Sequence, residues 1–479
     1  MRRAGLLAVV IVLAGCSSEP RPAASSSPPA SSSPLAPSSP AAFHAGAEGA
    51  GDPYFPKYGN GGYDVAGYDL KLKYDPKSGE LGGTATITAT ATQDLSRFDF
   101  DLARMTVRNV QIDGRAATVK QQDAELMITP SAGITKGRKF TVIVDYSGKP
   151  GQIGNQSLGE GGWLRTGDGA IALGQPESAS TWYPVNDHPS DKATFALAMT
   201  VPDGLEVISN GVPGAQQRAG GWTTWHWSES SPMASYLSTV VIGQYEVSTS
   251  THDGKPMVIA LADSLGPGSG AAKSLNRTGE IADFLATRFG PYPFDAYGGV
   301  ALDDSRIAYA LETQSRPVYG QAFFTQGQND RVVAHELTHQ WFGDSVALTR
   351  WKDIWLNEGF ATYAEWLWAE HEGTSTVRQS FDDAYASFAW GQGEKAGDPG
   401  VNRLFGDAVY TRGGMTVYAL RQTIGDAAFD QLLHRWTADH RDGNATTDDL
   451  KRLAEQLSGK DLDPLFNAWL YSGEKPAKP

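Results

Sequence analysis

The chain has a single cysteine among its 479 residues, at Cys16. Everything beyond that position therefore forms without a disulfide, a thiolate metal site or a thiol nucleophile. Basic charge is scarce too: 40 Lys and Arg stand against 54 Asp and Glu, for a formal net charge of -14. Phosphate backbones are held by clustered Lys and Arg, so this balance argues against a nucleic-acid partner. The acidity reads first as solubility, and second as a bias toward cationic peptides. The apolar run from Ala4 to Ala14 falls short of the roughly 20 residues that span a bilayer. Internal repeats and charge runs are also missing. What remains, 40% hydrophobic and 20% charged residues, is enough to build two or three packed domains.

The N-terminal residues form their own unit. Arg2 and Arg3 precede the short apolar run, which ends Leu13-Ala14-Gly15-Cys16. A basic flank, a short apolar core and small residues at its end are the plan of a secretory signal peptide, assigned here to residues 1–15. Its last four residues resemble the lipobox of bacterial lipoproteins, in which the cysteine is lipidated. The resemblance implies export and a lipid anchor on Cys16, at the outer face of a bacterial cell membrane. From Ser17 to about Ala42 the composition collapses to Ser, Pro and Ala, which cannot bury a core. Residues 16–50 are read as this linker, and its Ser/Pro/Ala stretch can reach on the order of 80 Å.

Residues 51–247 read as strands. Alternation recurs at Leu70 to Lys73, Thr84 to Thr92, Phe140 to Tyr146, Phe195 to Val201 and Thr223 to Trp227, with Gly, Pro, Asp and Asn between. Short strands with turn signals predict an antiparallel β-sandwich or saddle-shaped sheet. From residue 248 to 479 the period becomes helical, at Leu275 to Phe289, Asp330 to Phe342, Trp355 to Glu370, Met415 to Thr423 and Thr447 to Leu457. A second, mainly helical domain is expected there.

The chemistry-bearing stretch is His335-Glu336-Leu337-Thr338-His339. Residues four apart on a helix share a face, so the two imidazoles can hold one zinc ion. Glu336 lies beside that face and can take a proton from a water that the metal activates. A catalytic zinc also needs a third protein ligand and an open position. Glu358, eighteen residues beyond His339 on the next helical stretch, supplies the carboxylate. Glu365 lies seven positions further on the same face and reads either as support for a ligand or as ordinary structure. Asn186, Asp187, His188 and Asp191 could ligate a cation, but beside Pro184 and Pro189 they read more readily as turn formers.

His335-Glu336-x-x-His339 followed by Asn357-Glu358-Gly359 resembles the gluzincin aminopeptidases of the aminopeptidase N family. Gly290-Pro291-Tyr292-Pro293-Phe294, Trp341-Phe342-Gly343-Asp344 and Trp469-Leu470 are similar to further signatures of that family. The resemblance runs from about Tyr63 to the C-terminus. It implies a thermolysin-like catalytic domain after the β domain, a cleft between them and one zinc per chain. Substrates would be peptides with a free N-terminus. The family's Gly-Ala-Met-Glu-Asn motif stands here as Tyr309-Ala310-Leu311-Glu312-Thr313, which makes Glu312 the expected anchor for the substrate amine. Gln175 is the expected second amine contact, with Glu177 as the alternative. A hydroxyl that assists the developing oxyanion is expected from Tyr410, in Tyr410-Thr411-Arg412-Gly413. The chain ends soon after Trp469, so a short form without the family's large helical C-terminal domain is expected. A zinc endopeptidase, or a peptide-binding protein on the same fold, are the competing readings. The first would not need Glu312, and the second would not need Glu336. No feature of the sequence fixes an oligomeric state.

Overall fold

Two side-chain periods divide the chain, and the computed structural model, which describes residues 42–155 and 158–479, follows that division. The signal, Cys16 and most of the linker lie outside the described residues. In Tyr63–Asp75, beyond a bulge at Val65–Gly67, every second residue from Tyr68 to Tyr74 turns inward, because successive strand side chains face opposite sides. This strand pairs antiparallel with Glu80–Ala91, which in turn pairs with Lys139–Gly148. All three belong to a nine-stranded sheet. On its other edge Tyr63–Asp75 pairs in parallel with Ala193–Pro202, so the sheet is mixed where alternation predicts an antiparallel one. Alternation reports which face is buried and says nothing of the neighbour's direction.

A five-stranded sheet lies behind the first, with Gly159–Arg165, Ala170–Leu173 and Val240–Gly243 at its centre. The last two strands are buried on both faces and read as unbroken apolar runs, which is why alternation passes over them. Tyr74 meets Trp163 edge-on at 5.0 Å between ring centroids and ties the two sheets together.

The second body opens with its own five-stranded sheet, from Tyr245–His252 through Lys255–Ala262 and Tyr297–Ala301 to Val318–Tyr319 and Ala310–Leu311. Its first strand straddles the expected boundary at 247/248. The helices then follow: α1 (Gly270–Leu275), α2 (Thr278–Phe289), α3 (Asp330–His339), α4 (Trp355–His371), α5 (Val377–Ser387), α6 (Gly413–Ile424), α7 (Asp426–Asp439) and α8 (Thr447–Ser458). The fold class is thus a β-rich N-terminal domain followed by a mainly helical second domain. Helix α3 begins where the Asn329 side chain accepts from the Val332 N–H, and α4 runs against it. Gly359 lets α4 approach α6: a Cβ there would stand 2.8 Å from the Gly413 carbonyl carbon. The π-helical turn Ala408–Arg412, which leads into α6, packs against α4 and sets Tyr410 beside His335 of α3. No helix among the described residues is long and apolar enough to cross a membrane.

Candidate active site

His335 and His339, one turn apart on α3, meet Glu358 from the first turn of α4. The Glu358 Oε2 lies 3.3 Å from His335 Nε2 and 3.4 Å from His339 Nε2. The other nitrogen of each ring is already committed. His335 Nδ1 is 2.7 Å from Glu365 Oε1, and His339 Nδ1 is 3.1 Å from the Phe342 carbonyl. Acceptors at both Nδ1 positions favour protons there, so that in their neutral form the rings would turn two Nε2 lone pairs toward one point beside the Glu358 carboxylate. Glu365 thus orients the His335 ring, and Arg331 fixes its second oxygen at 2.7 Å.

The donors open into a cavity of about 430 Å³ whose lining includes four carboxylates, from Glu312, Glu336, Glu358 and Glu365, against one arginine, Arg331. This surplus of negative charge acts on the two imidazoles. Burial opposes charge on His339, yet Glu358 and Glu312 push its pKa up to about 9. Burial likewise opposes charge on His335, but Glu358 and Glu365 hold it well above the usual imidazole range. Glu358 is held low by the same two imidazoles against the cost of its burial. The site draws positive charge to one point, and its donor set of two imidazoles and a carboxylate with an open side fits zinc. Glu336 is buried next to it, and burial, partly offset by His335 and His339, raises its carboxyl to about 8. A carboxylate with its pKa near neutrality is suited to accept and return a proton.

Glu312 follows the edge strand Ala310–Leu311 and is fully enclosed. Its Oε1 accepts from the Tyr236 hydroxyl at 2.9 Å and from Gln175 Nε2 at 3.3 Å. The Gln340 amide holds its backbone carbonyl at 3.0 Å. Gln175 therefore stands beside Glu312, the expected amine anchor. Glu177 does not: its carboxylate accepts from the Tyr58 hydroxyl at 2.5 Å, and it is not among the residues that line the cavity. Tyr236 had no signal in the sequence, because it reaches Glu312 from 76 residues away and no motif surrounds it.

Tyr410 lines the same cavity from the π-helical turn, its ring 6.0 Å from that of His335. Single π turns of this kind recur at functional sites. Burial and then the surrounding carboxylates Glu358, Glu312 and Glu336 hold its hydroxyl well above the usual phenol range, so it stays a donor. The Asn186 to Asp191 turn lies apart from this cavity, and its roles are internal. Asp191 accepts from the Val65 N–H, Asp187 from the Ser180 N–H, and His188 Nε2 meets Asp52 at 3.4 Å. Among the described residues none of these belongs to a group able to hold a metal.

Comparison with known proteins agrees with this architecture. Residues 65–237 match the peptidase M1 N-terminal domain, and residues 273–469 match the peptidase family M1 domain. Aminopeptidase N of Lactobacillus helveticus is 26% identical over 439 residues, which cover 84% of this chain and 50% of that protein. Aminopeptidase M1 of Arabidopsis thaliana is 25% identical over 458 residues, 88% of this chain and 51% of that one. The chain thus spans about half the length of these sequence relatives. An M1 zinc metallopeptidase from Deinococcus radiodurans superposes with a TM-score of 0.83 at 30% identity, covering 90% of this chain and 98% of that chain. A mutant of that enzyme has been crystallised with a Tyr-Ser-Ala substrate.

Proposed function

The chain belongs to the M1 peptidase family, and from that premise we propose that it is a zinc-dependent aminopeptidase, removing N-terminal residues from peptides with a free amine. The observation that carries the proposal is the meeting of two groups in one cavity. The His335, His339 and Glu358 donors stand beside a buried carboxylate, Glu312, one of whose oxygens already receives two hydrogen bonds. A buried carboxylate of this kind needs a cation, and a substrate ammonium supplies one.

His335, His339 and Glu358 would hold one zinc per chain; when bound, it polarises the scissile carbonyl and lowers the pKa of water. Glu336 takes the proton from the attacking water and returns it to the departing amine. Tyr410 donates its hydroxyl hydrogen to the oxygen on which negative charge develops. Glu312 and Gln175 hold the ammonium and so fix which bond lies over the metal. The Tyr-Ser-Ala substrate bound to the Deinococcus relative supports peptides as the substrate class.

A panel of aminoacyl reporter substrates tests the reading. Hydrolysis should need zinc, and Glu312→Ala should retain zinc while losing most of the preference for a free amine. Reporter hydrolysis that survives exhaustive zinc removal would sink it. We further propose that Cys16 carries a lipid that holds the exported protein on the outer face of a bacterial membrane. The support is the basic flank, the short apolar run and Leu13-Ala14-Gly15-Cys16. Cys16→Ser should move the protein to the soluble fraction with peptidase activity intact, and unchanged membrane retention would contradict the anchor.

A further inference from the structure

A second cavity, of about 520 Å³, adjoins the first and shares Arg331, Glu365 and Tyr410 with it. It lies between α4 and α5, lined by Thr362 and Ala369 on one side and Asp383 and Ala384 on the other. The order of groups sets its place relative to a peptide. Glu312 clusters with Glu336 and His339, on one flank of the ligand set. On the other flank His335 contacts Glu365 through Nδ1 and lies against the Tyr410 ring. A peptide anchored by its amine at Glu312, with its first carbonyl at the ligand set, continues past His335 and Tyr410 into the second cavity.

The charges of that cavity do not cancel. Arg331 is paired with Glu365 at 2.7 Å. Of the cations near α5, Arg378 and Lys478 pair with Asp382, and Lys475 lies over the Tyr385 ring. Asp383 is exposed in the cavity and makes no ion pair or side-chain hydrogen bond among the described residues. The Arg331 charge is already offset by Glu365, although its remaining N–H donors stay open, whereas Asp383 has no cation beside it among the described residues and can receive one directly.

We propose that the α4–α5 cavity receives the residues that follow the scissile bond, and that Asp383 selects peptides with a basic side chain there. This rests on the aminopeptidase reading, with the amine held at Glu312. Peptide amides of one sequence, with Lys or Glu placed second or third, separate the two. The wild type should cleave the Lys member of a pair with a kcat/KM about 3- to 5-fold above the Glu member, the range of a solvent-exposed ion pair. Asp383→Asn should bring the ratio close to one. Ala384→Trp, which fills the cavity, should lower kcat/KM on the longer peptides by about tenfold or more. Asp383→Asn should not alter hydrolysis of an aminoacyl p-nitroanilide, whose leaving group carries no basic side chain, and Ala384→Trp should lower it less than it lowers cleavage of the longer peptides. A Lys-to-Glu ratio near one in the wild type, or one that persists in Asp383→Asn, overturns the subsite; so does an equal loss on reporter and peptides in Ala384→Trp. In each case the reporter is still cleaved. If the reporter is not cleaved at all, the failure belongs to the aminopeptidase reading.

Discussion

Two regions of this molecule bury several acidic groups, and only one of them has the geometry of a site. Around the Asn186 to Asp191 turn each carboxylate faces backbone. Asp191 accepts from Val65, Asp187 from Ser180, Asp101 from Asp187, and Asp52 from Trp351. At α3 and α4 the carboxylates face one another and two imidazoles across an open cavity, and the outer contacts of Glu365 and Phe342 serve only to aim the rings. The first arrangement spends its acceptors on holding two domains and a turn together. The second keeps them for something that arrives. Buried acidity is therefore a poor marker of function, and convergence of donor atoms on accessible space is a better one.

Substitutions in the two regions should separate cleanly. Glu358→Ala removes a ligand and should abolish zinc retention and activity together, read by metal content and turnover. Tyr410→Phe should keep zinc and fold but lower turnover by ~10² to 10³-fold, and Glu336→Gln by ~10² or more. Unchanged turnover in Tyr410→Phe would return that ring to packing. Glu365→Ala leaves His335 Nδ1 without its acceptor and should weaken zinc affinity ~10- to 100-fold in a competitive chelator titration.

In the other region the effects should fall on stability alone. Asp191→Ala strands the Val65 N–H and the Asn186 amide, so it should lower unfolding stability by about 1–3 kcal/mol for each unpaired group, with zinc content unchanged. Zinc loss in that variant would break the contrast between the regions. A pH-dependent effect belongs to Glu177, whose carboxyl burial and nearby Asp187 raise from 4.5 to about 7. The folded state binds this proton more tightly than the unfolded chain, so the contribution is complete below about pH 4.5 and fades as pH rises toward 7. Glu177→Gln should flatten the stability profile across that window, measured by denaturant midpoints at successive pH values.

The sequence made the candidate metal ligands legible because they obey local rules. His335 and His339 are one helical turn apart, and Glu358 and Glu365 share a face of the next helix. Glu312, Gln175 and Tyr410 were legible only through family resemblance, since each reaches the cavity from a separate element. Tyr236 was not legible at all. The same divide runs through the fold: half-buried strands such as Tyr63–Asp75 announce themselves by alternation, while Ala170–Leu173 and Val240–Gly243, enclosed on both faces, do not. The parallel pairing of Tyr63–Asp75 with Ala193–Pro202 depends on a neighbour more than a hundred residues away, which no local pattern encodes.

The most direct test of the central claim is product analysis of one peptide and its N-acetylated twin, each incubated with the protein as purified, after chelation, and after zinc is restored. The account predicts stepwise release of the N-terminal residue from the free peptide, lost on chelation and regained with zinc. The acetylated twin should be cut at least ~10² more slowly, because acetylation leaves Glu312 without its cation. Efficient internal cleavage of the acetylated peptide, or cleavage indifferent to zinc, would contradict it.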